Sequence, residues 1–299
     1  MPEFVSAVLL SLIAGAATGL GGLYTLFVKR MNYNTLGTLL GFSGGVMLVV
    51  AFINLLPEAL LVLVAFWNPS LLLALFFSVG VTTMLLIDLR IPHVELATGG
   101  CEGDVKGQSA YGRFAEEHPA REPRGRRRRW RGGREYALSV ERRDSAYRLS
   151  WLMVIGIAIH NLPEGLVVGT SYVYQPHFGI YVALAIMIHN VPEGVAVATG
   201  LLTGSNRSRA RIVLLTLLSG MTEPVGAIVG AALIVYLSPL WGIIVTGFSL
   251  AFAAGVMVYV TTDELIPTAH LQCTKKHVVG IGLVLGMMFI LFLGAIIPS

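Results

Sequence analysis

Eight stretches of this chain are apolar for roughly twenty residues or more, the length an α-helix needs to cross the hydrocarbon core of a bilayer. They run from about Phe4 to Val28, Thr35 to Leu60, Ser70 to Leu89, Leu149 to Thr170, Gly179 to Leu202, Ile212 to Leu237, Trp241 to Ile266 and His277 to Ile297. No other feature constrains the fold as much. A backbone in lipid must satisfy its own hydrogen bonds, and a helix does so within one segment. Composition agrees: 13% of the residues are charged, against about 25% in soluble domains, and the mean hydropathy is +0.74. The expected fold class is all-α, a polytopic membrane protein with eight transmembrane helices in a single transmembrane domain over residues 1–299. Met1-Pro2-Glu3 lacks the basic start of a signal peptide, so the first stretch is expected to be a retained helix. The two cysteines, Cys101 and Cys273, have neither the number for a disulfide framework nor the spacing of a zinc ribbon.

Charge placement gives the orientation. All 21 Lys and Arg fall in four connections: Lys29 and Arg30 after the first helix, the segment from Arg90 to Arg148, Arg207 to Arg211 between helices five and six, and Lys275 with Lys276 between seven and eight. In an eight-helix plan these lie on one side of the membrane, which the positive-inside rule makes the cytoplasm. Both termini are then expected outside it. The long connection, residues 90–148, is charged, rich in Gly and Pro, and contains Arg126-Arg127-Arg128-Arg129. It is expected to be a disordered cytoplasmic loop that contacts anionic lipid headgroups. Nucleic acid is not an expected partner.

The chain also repeats itself. Residues 41–59 align without gaps on residues 251–269, with Phe42, Gly45, Val46, Met47, Val50, Leu55, Pro57 and Ala59 each matched 210 positions later. Helices two and seven run in opposite directions in the eight-helix plan. An inverted repeat relating helices 1–3 to helices 6–8 is therefore expected, as in many secondary transporters.

The chemistry lies in the acids. Glu58, Glu164, Glu193, Glu223, Asp263 and Glu264 fall within or at the ends of apolar spans that hold no Lys or Arg, and Asp88 ends the third. Ionisable groups at such depth are costly and mark function; unpaired carboxylates must take up protons or hold a cation. Their neighbours favour a cation. Helix four carries His160-Asn161-Leu162-Pro163-Glu164-Gly165, and helix five repeats it as His189-Asn190-Val191-Pro192-Glu193-Gly194. His and Glu at i and i+4 share a helix face, with Asn beside them. Two imidazoles with carboxylates suit zinc and similar ions, whereas calcium and magnesium prefer oxygen donors alone. Pro163 and Pro192 free the carbonyls of Ile159 and Ile188, which either offer further ligands or serve only as kinks. Glu223 in Thr222-Glu223-Pro224 is a third-helix ligand candidate. Met47 is another on helix two, and Asn54 lies seven residues further on the same face. Glu58, four residues after Asn54, either stands at an outer mouth of the pathway or simply reaches the outer interface. Asp263 and Glu264, with Asp88 and His270, form either an exit site or a solvated helix end.

The doubled HNxPEG, the Glu-Pro of helix six and the long loop after helix three resemble the ZIP (Zrt/Irt-like) metal transporters of bacterial type, over essentially the whole chain outside that loop. The resemblance implies a metal site near mid-membrane on helices four and five, often binuclear, with ions moving toward the cytoplasm. His160, Glu164, His189 and Glu193 match its primary site, with Met47 as a further ligand; Asn161, Asn190, Glu164, Glu193 and Glu223 match the second. Asp263-Glu264 matches a pair linked to release. Asn190 replaces the Asp of some bacterial members, removing a charge. The loop, usually His-rich, has only His93 and His118. The expected function is secondary transport, with no GxxxxGK[ST] motif, of Zn2+, or of Cd2+, Fe2+ or Mn2+. The resemblance further implies an elevator-type movement of helices one, four, five and six, and a homodimer. The setting is a bacterial inner membrane. Three rivals are an intramembrane metal-dependent hydrolase, though no HExxH is present, a proton-coupled carrier for an organic cation, against which the doubled His/Asn/Glu set argues, and a passive metal channel.

Overall fold

The computed structural model describes residues 2–27, 32–90, 151, 154–204, 208–237, 239–273, 275 and 277–296. The Arg-rich segment lies outside them from residue 91 to its end at 148, as do Lys29, Arg30, Arg207 and Lys276. The described residues are helical, with no strand among them.

Helix α1 is Pro2–Phe27. Helix α2 is Tyr33–Val49, continuing through Val50–Leu55 and Leu56–Leu63. Asn32 opens it, its side chain accepting from the Asn34 amide at 3.0 Å. Helix α3 is Pro69–Asp88, opened in the same way by Asn68, which accepts from the Leu71 amide at 3.1 Å and precedes a proline. Such caps satisfy amides that have no partner in the first turn. Helix α4 covers residues 154–174 and α5 is Pro176–Gly204. Helix α6 is in two pieces, Arg209–Gly220 and Thr222–Tyr236, broken at Met221. Helix α7 is Pro239–Tyr259, continuing through Val260–Leu265 and Ile266–Gln272, and α8 is His277–Ile296.

Seven helices among the described residues are long and apolar enough to cross a membrane. Helix α4 carries His160, Asn161, Pro163 and Glu164 in the middle of its described residues 154–174. The helices make this a polytopic membrane protein.

The middle of α2 and the middle of α7 depart from α geometry at matching places. Val50–Leu55 and Val260–Leu265 are π-helical. Each stretch ends on a bond five residues long, Leu56 N–H to the Ala51 carbonyl and Ile266 N–H to the Thr261 carbonyl. Pro57 and Pro267 follow directly. Each lacks the N–H that would close an α turn on Ile53 or Asp263, and the wider turn absorbs the mismatch. Over residues 51–60 and 261–270 the sequence of buried, half-buried and exposed positions is the same.

Glycine-to-carbonyl contacts lock the helices in pairs. A Cβ on Gly45 would strike the Leu283 carbonyl on α8, and one on Gly286 the Phe42 carbonyl on α2. A Cβ on Gly255 would likewise strike the Phe77 carbonyl on α3, and one on Gly80 the Phe252 carbonyl on α7. Small residues let membrane helices approach to backbone contact, where dispersion replaces the missing hydrophobic drive. Phenylalanines fill the flanks: Phe76 meets Phe248 edge-on at 5.2 Å, Phe248 stacks on Phe252 at 5.3 Å, and Phe42 tilts against Phe289 at 5.8 Å. A second bundle joins α1, α4, α5 and α6 by the same device. Gly21 sits on the Val191 carbonyl, Gly194 on that of Thr18, Gly165 on that of Glu223, and Gly226 on that of Leu162. Helix α2 packs on α5 and brings one bundle against the site held by the other.

Candidate metal centre

Helices α4 and α5 cross their motifs. His160 Nε2 lies 3.1 Å from Glu193 Oε2, and His189 Nε2 lies 3.1 Å from Glu164 Oε1. Each histidine therefore meets the glutamate of the other helix, not the one four residues along its own. The i, i+4 partner of His189 is more distant, with Glu193 Oε1 at 4.0 Å. The second nitrogen of His189 faces the Ala185 carbonyl at 3.1 Å. That contact directs Nε2 at the carboxylates and fixes the ring. None of the four residues is more than 1% exposed.

The asparagines reach sideways. Asn190 Nδ2 donates to Glu223 Oε1 and to the Ala14 carbonyl, the latter at 3.0 Å. Asn161 Nδ2 donates to the Ser219 carbonyl at 3.2 Å. Glu223 stands in the first turn of the second piece of α6, just after the break at Met221. Its position at a helix N-terminus eases its charge, and Pro224 fits the same turn. Ser43, on α2, donates to the His189 carbonyl at 3.3 Å and to Glu193 Oε1 at 3.5 Å. Pattern reading passed over Ser43. Its signal was a place four residues before Met47, on the same helix face. Met47 is buried and its sulfur accepts from the Thr261 hydroxyl at 3.6 Å.

Several buried atoms have no hydrogen-bond partner among the described residues: His160 Nδ1, Asn161 Oδ1, Glu164 Oε2, Asn190 Oδ1 and Glu223 Oε2. Leaving such an atom unpaired costs about 1–3 kcal/mol, and more for charged groups. Five in one place mark donors kept for something else. Three carboxylates, Glu164, Glu193 and Glu223, share this dry space with two imidazoles and no Lys or Arg. The imidazoles are spent on the carboxylates, and among the described residues no three His, Cys, Asp or Glu side chains converge as a closed ligand cage. The set is a chain of crossed pairs that a cation could enter by displacing the imidazole protons.

The remaining candidates lie away from that centre. Asn54 accepts from the Tyr181 hydroxyl at 3.3 Å. The π stretch between Met47 and Asn54 alters the register that puts residues seven apart on one face. Glu58 is half-buried. Tyr259 joins two of the acids, its hydroxyl 2.7 Å from Asp88 Oδ2 and 3.3 Å from Asp263 Oδ2. This tyrosine, four residues before Asp263, also escaped sequence reading. Asp88 is buried, whereas Asp263 and His270 are exposed. Glu264 is half-buried and near enough to His160 to act on it electrostatically.

Known proteins resemble this chain over nearly its whole length. The family model described as ZIP Zinc transporter matches residues 4–294. A protein of Chlorobium phaeovibrioides named Zinc transporter ZupT is 36% identical over 294 residues, covering 96% of each chain. Its namesake in Corynebacterium glutamicum is 34% identical over 281 residues, 93% of this chain and 94% of the relative. A third, in Clostridium perfringens, is 31% identical over 291 residues, 96% of this chain and 94% of the relative. With the match running nearly end to end through both HNxPEG helices, the chain belongs to the ZIP zinc transporter family, and it is a transporter rather than an enzyme.

Proposed function

We propose that this single transmembrane domain carries divalent transition-metal ions, Zn2+ foremost, across a bacterial plasma membrane into the cytoplasm. The observation that carries the reading is the crossed pair of imidazole–carboxylate contacts, His160–Glu193 and His189–Glu164, beside a third buried carboxylate on Glu223. The relatives' names point to zinc. Cd2+, Fe2+ and Mn2+ are the alternatives that the same donors admit.

The primary site is His160, Glu164, His189 and Glu193, with Met47 as a soft ligand from α2. Asn161, Asn190 and Glu223 extend it toward α6. Glu58 and Asn54 lie on the outer approach, and Glu264, Asp263, Asp88 and His270 on the cytoplasmic one. An ion enters by exchanging its water for imidazole and carboxylate, and protons leave as it binds. Burial of the centre favours a carrier over an open channel. The matched π stretches and paired glycine contacts support an inverted repeat. Helices α1, α4, α5 and α6 then move as an elevator-type unit against α2, α3, α7 and α8, with α2 sliding on α5. Both termini lie outside the cytoplasm in this orientation.

Uptake of radioactive zinc into proteoliposomes by the native chain, His160→Ala and Glu193→Ala tests the reading. Saturable uptake that collapses in both variants at unchanged protein level supports it. Native protein that moves no divalent ion overturns it.

A further inference from the structure

Two constant shifts relate the helices of the site bundle. Moving 29 positions carries α4 onto α5, and moving 205 positions carries α1 onto α6. Under this exchange the contacts reproduce themselves. The His160–Glu193 pair becomes His189–Glu164, each at 3.1 Å. The Asn190 bond to the Ala14 carbonyl becomes the Asn161 bond to the Ser219 carbonyl. Gly194 against Thr18 becomes Gly165 against Glu223, and Gly21 against Val191 becomes Gly226 against Leu162. Among the residues of these contacts, the correspondence fails in charge at one position. Glu223 on α6 accepts from Asn190, and its counterpart on α1 is Thr18.

Thr18 is 0% exposed, and its hydroxyl has no hydrogen-bond partner among the described residues. A buried threonine on an apolar helix ordinarily donates to the carbonyl four residues back. Thr170, Thr199, Thr216 and Thr246 all do so here. The carbonyl that Thr18 would use, that of Ala14, already receives Asn190. A Cβ on Gly220 would lie 2.8 Å from Thr18 Oγ1, and one on Gly15 would lie 3.4 Å from Glu223 Cβ. Both side chains therefore occupy the α1–α6 crossing from opposite sides. Asn161 Oδ1, the counterpart of Asn190 Oδ1, is also buried and unpartnered.

We propose that Thr18 Oγ1 forms a neutral, oxygen-donor wing of the metal centre on α1, opposite the charged wing that Glu223 forms on α6, and that the divalent cation is held there by the Thr18 hydroxyl. The inference rests on the metal-carrier reading of the centre. Its chemistry follows from the donors. A hydroxyl oxygen accepts a hard or partly hydrated ion without adding charge. The ion is then bound more tightly on the α6 side than on the α1 side, which leaves one wing from which it departs readily.

Zinc binding to the purified full-length chain in lipid nanodiscs, read by competition with a zinc-chelating dye, tests this. His160→Ala serves as the control for the underlying reading, and a variant that still binds zinc like the native chain overturns that reading itself. With the control holding, Thr18→Val is expected to raise the zinc Kd about five-fold, the worth of one neutral hydrogen-bonding group, and Thr18→Ser to restore it. Glu223→Thr is expected to weaken binding further, and adding Thr18→Glu to it to recover most of the loss, because the carboxylate then stands in the equivalent place on α1. The proposal is overturned by a Thr18→Val protein that binds like the native one, by a Thr18→Ser protein as weak as Thr18→Val, or by a monodisperse double variant no tighter than Glu223→Thr. Should the double variant aggregate, the valine and serine arms decide.

Discussion

Helices α2 and α8 meet in the same way as α1 and α5, yet the two interfaces serve different ends. In both, a glycine lies on a backbone carbonyl of the neighbouring helix: Gly45 on Leu283 in one, Gly194 on Thr18 in the other. Around the first the flanking space is filled by rings, with Phe42 against Phe289. Around the second it holds His189, Asn190 and Glu193, all at 0% exposure. Close backbone approach is therefore not the mark of a site; it is how this protein joins helices anywhere. What sets the binding bundle apart is that the approach encloses polar atoms that the protein itself does not satisfy. The framing bundle encloses aromatic carbon, which is complete once packed.

The sharpest way to break that contrast is to remove a donor from one bundle and a ring from the other. Glu164→Gln or His189→Ala is expected to reduce zinc uptake at sub-saturating metal by about 100-fold or more, since even groups that only support a ligand cost about 10–100-fold. Phe248→Leu is expected to lower the thermal midpoint and leave the KM for zinc unchanged. A KM change in the phenylalanine variant comparable to that of the carboxylate variants would erase the distinction.

Overfilling the two kinds of glycine contact comes next. Gly286→Ala and Gly194→Ala each put a Cβ into a carbonyl, and each is expected to lose about 1–3 kcal/mol of stability. Chemical or thermal denaturation in detergent measures this. Only the Gly194 variant is expected to weaken zinc as well, because its collision partner is the Thr18 carbonyl, inside the bundle that holds the ligands.

A smaller effect separates the centre from its cytoplasmic approach. Tyr259→Phe breaks the bridge between Asp88 and Asp263. Turnover is expected to change a few-fold while the equilibrium affinity of the central site stays put, a split read from stopped-flow release against dye competition. The least change is expected from Tyr181→Phe, which removes bonds to Asn54 and the Ile290 carbonyl. It is expected to cost about 1 kcal/mol of stability and no uptake.

Much of this was legible in the sequence. The apolar stretches locate the helices to within a few residues, although α5 begins at Pro176, ahead of the Gly179 read from hydropathy. The doubled motif locates His160, Glu164, His189 and Glu193. That they cross between helices, with each His on the other helix's Glu, was not legible: the spacing of four within each motif offers an equally good partner, and only the packing of α4 on α5 decides. The 210-residue repeat pointed at Pro57 and Pro267, but the π turns ahead of them depend on how the freed carbonyls are re-satisfied, which composition does not encode. Ser43 and Thr18 went unread because small hydroxyl residues are common in membrane helices. Their meaning comes from the carboxylate, or the missing partner, that the fold puts beside them.

Helix α4 carries His160, Asn161 and Glu164 at the middle of its apolar span. The residues that make it useful are those that an insertion machinery rejects, each carboxylate or amide at the helix centre opposing partition into lipid. Ordered assembly is the expected outcome, with α4 settling in the membrane as α5 and α6 arrive to shelter His160, Asn161 and Glu164. Replacing those residues by leucine would ease biogenesis while abolishing the activity, so protein yield and metal uptake should move in opposite directions at these positions.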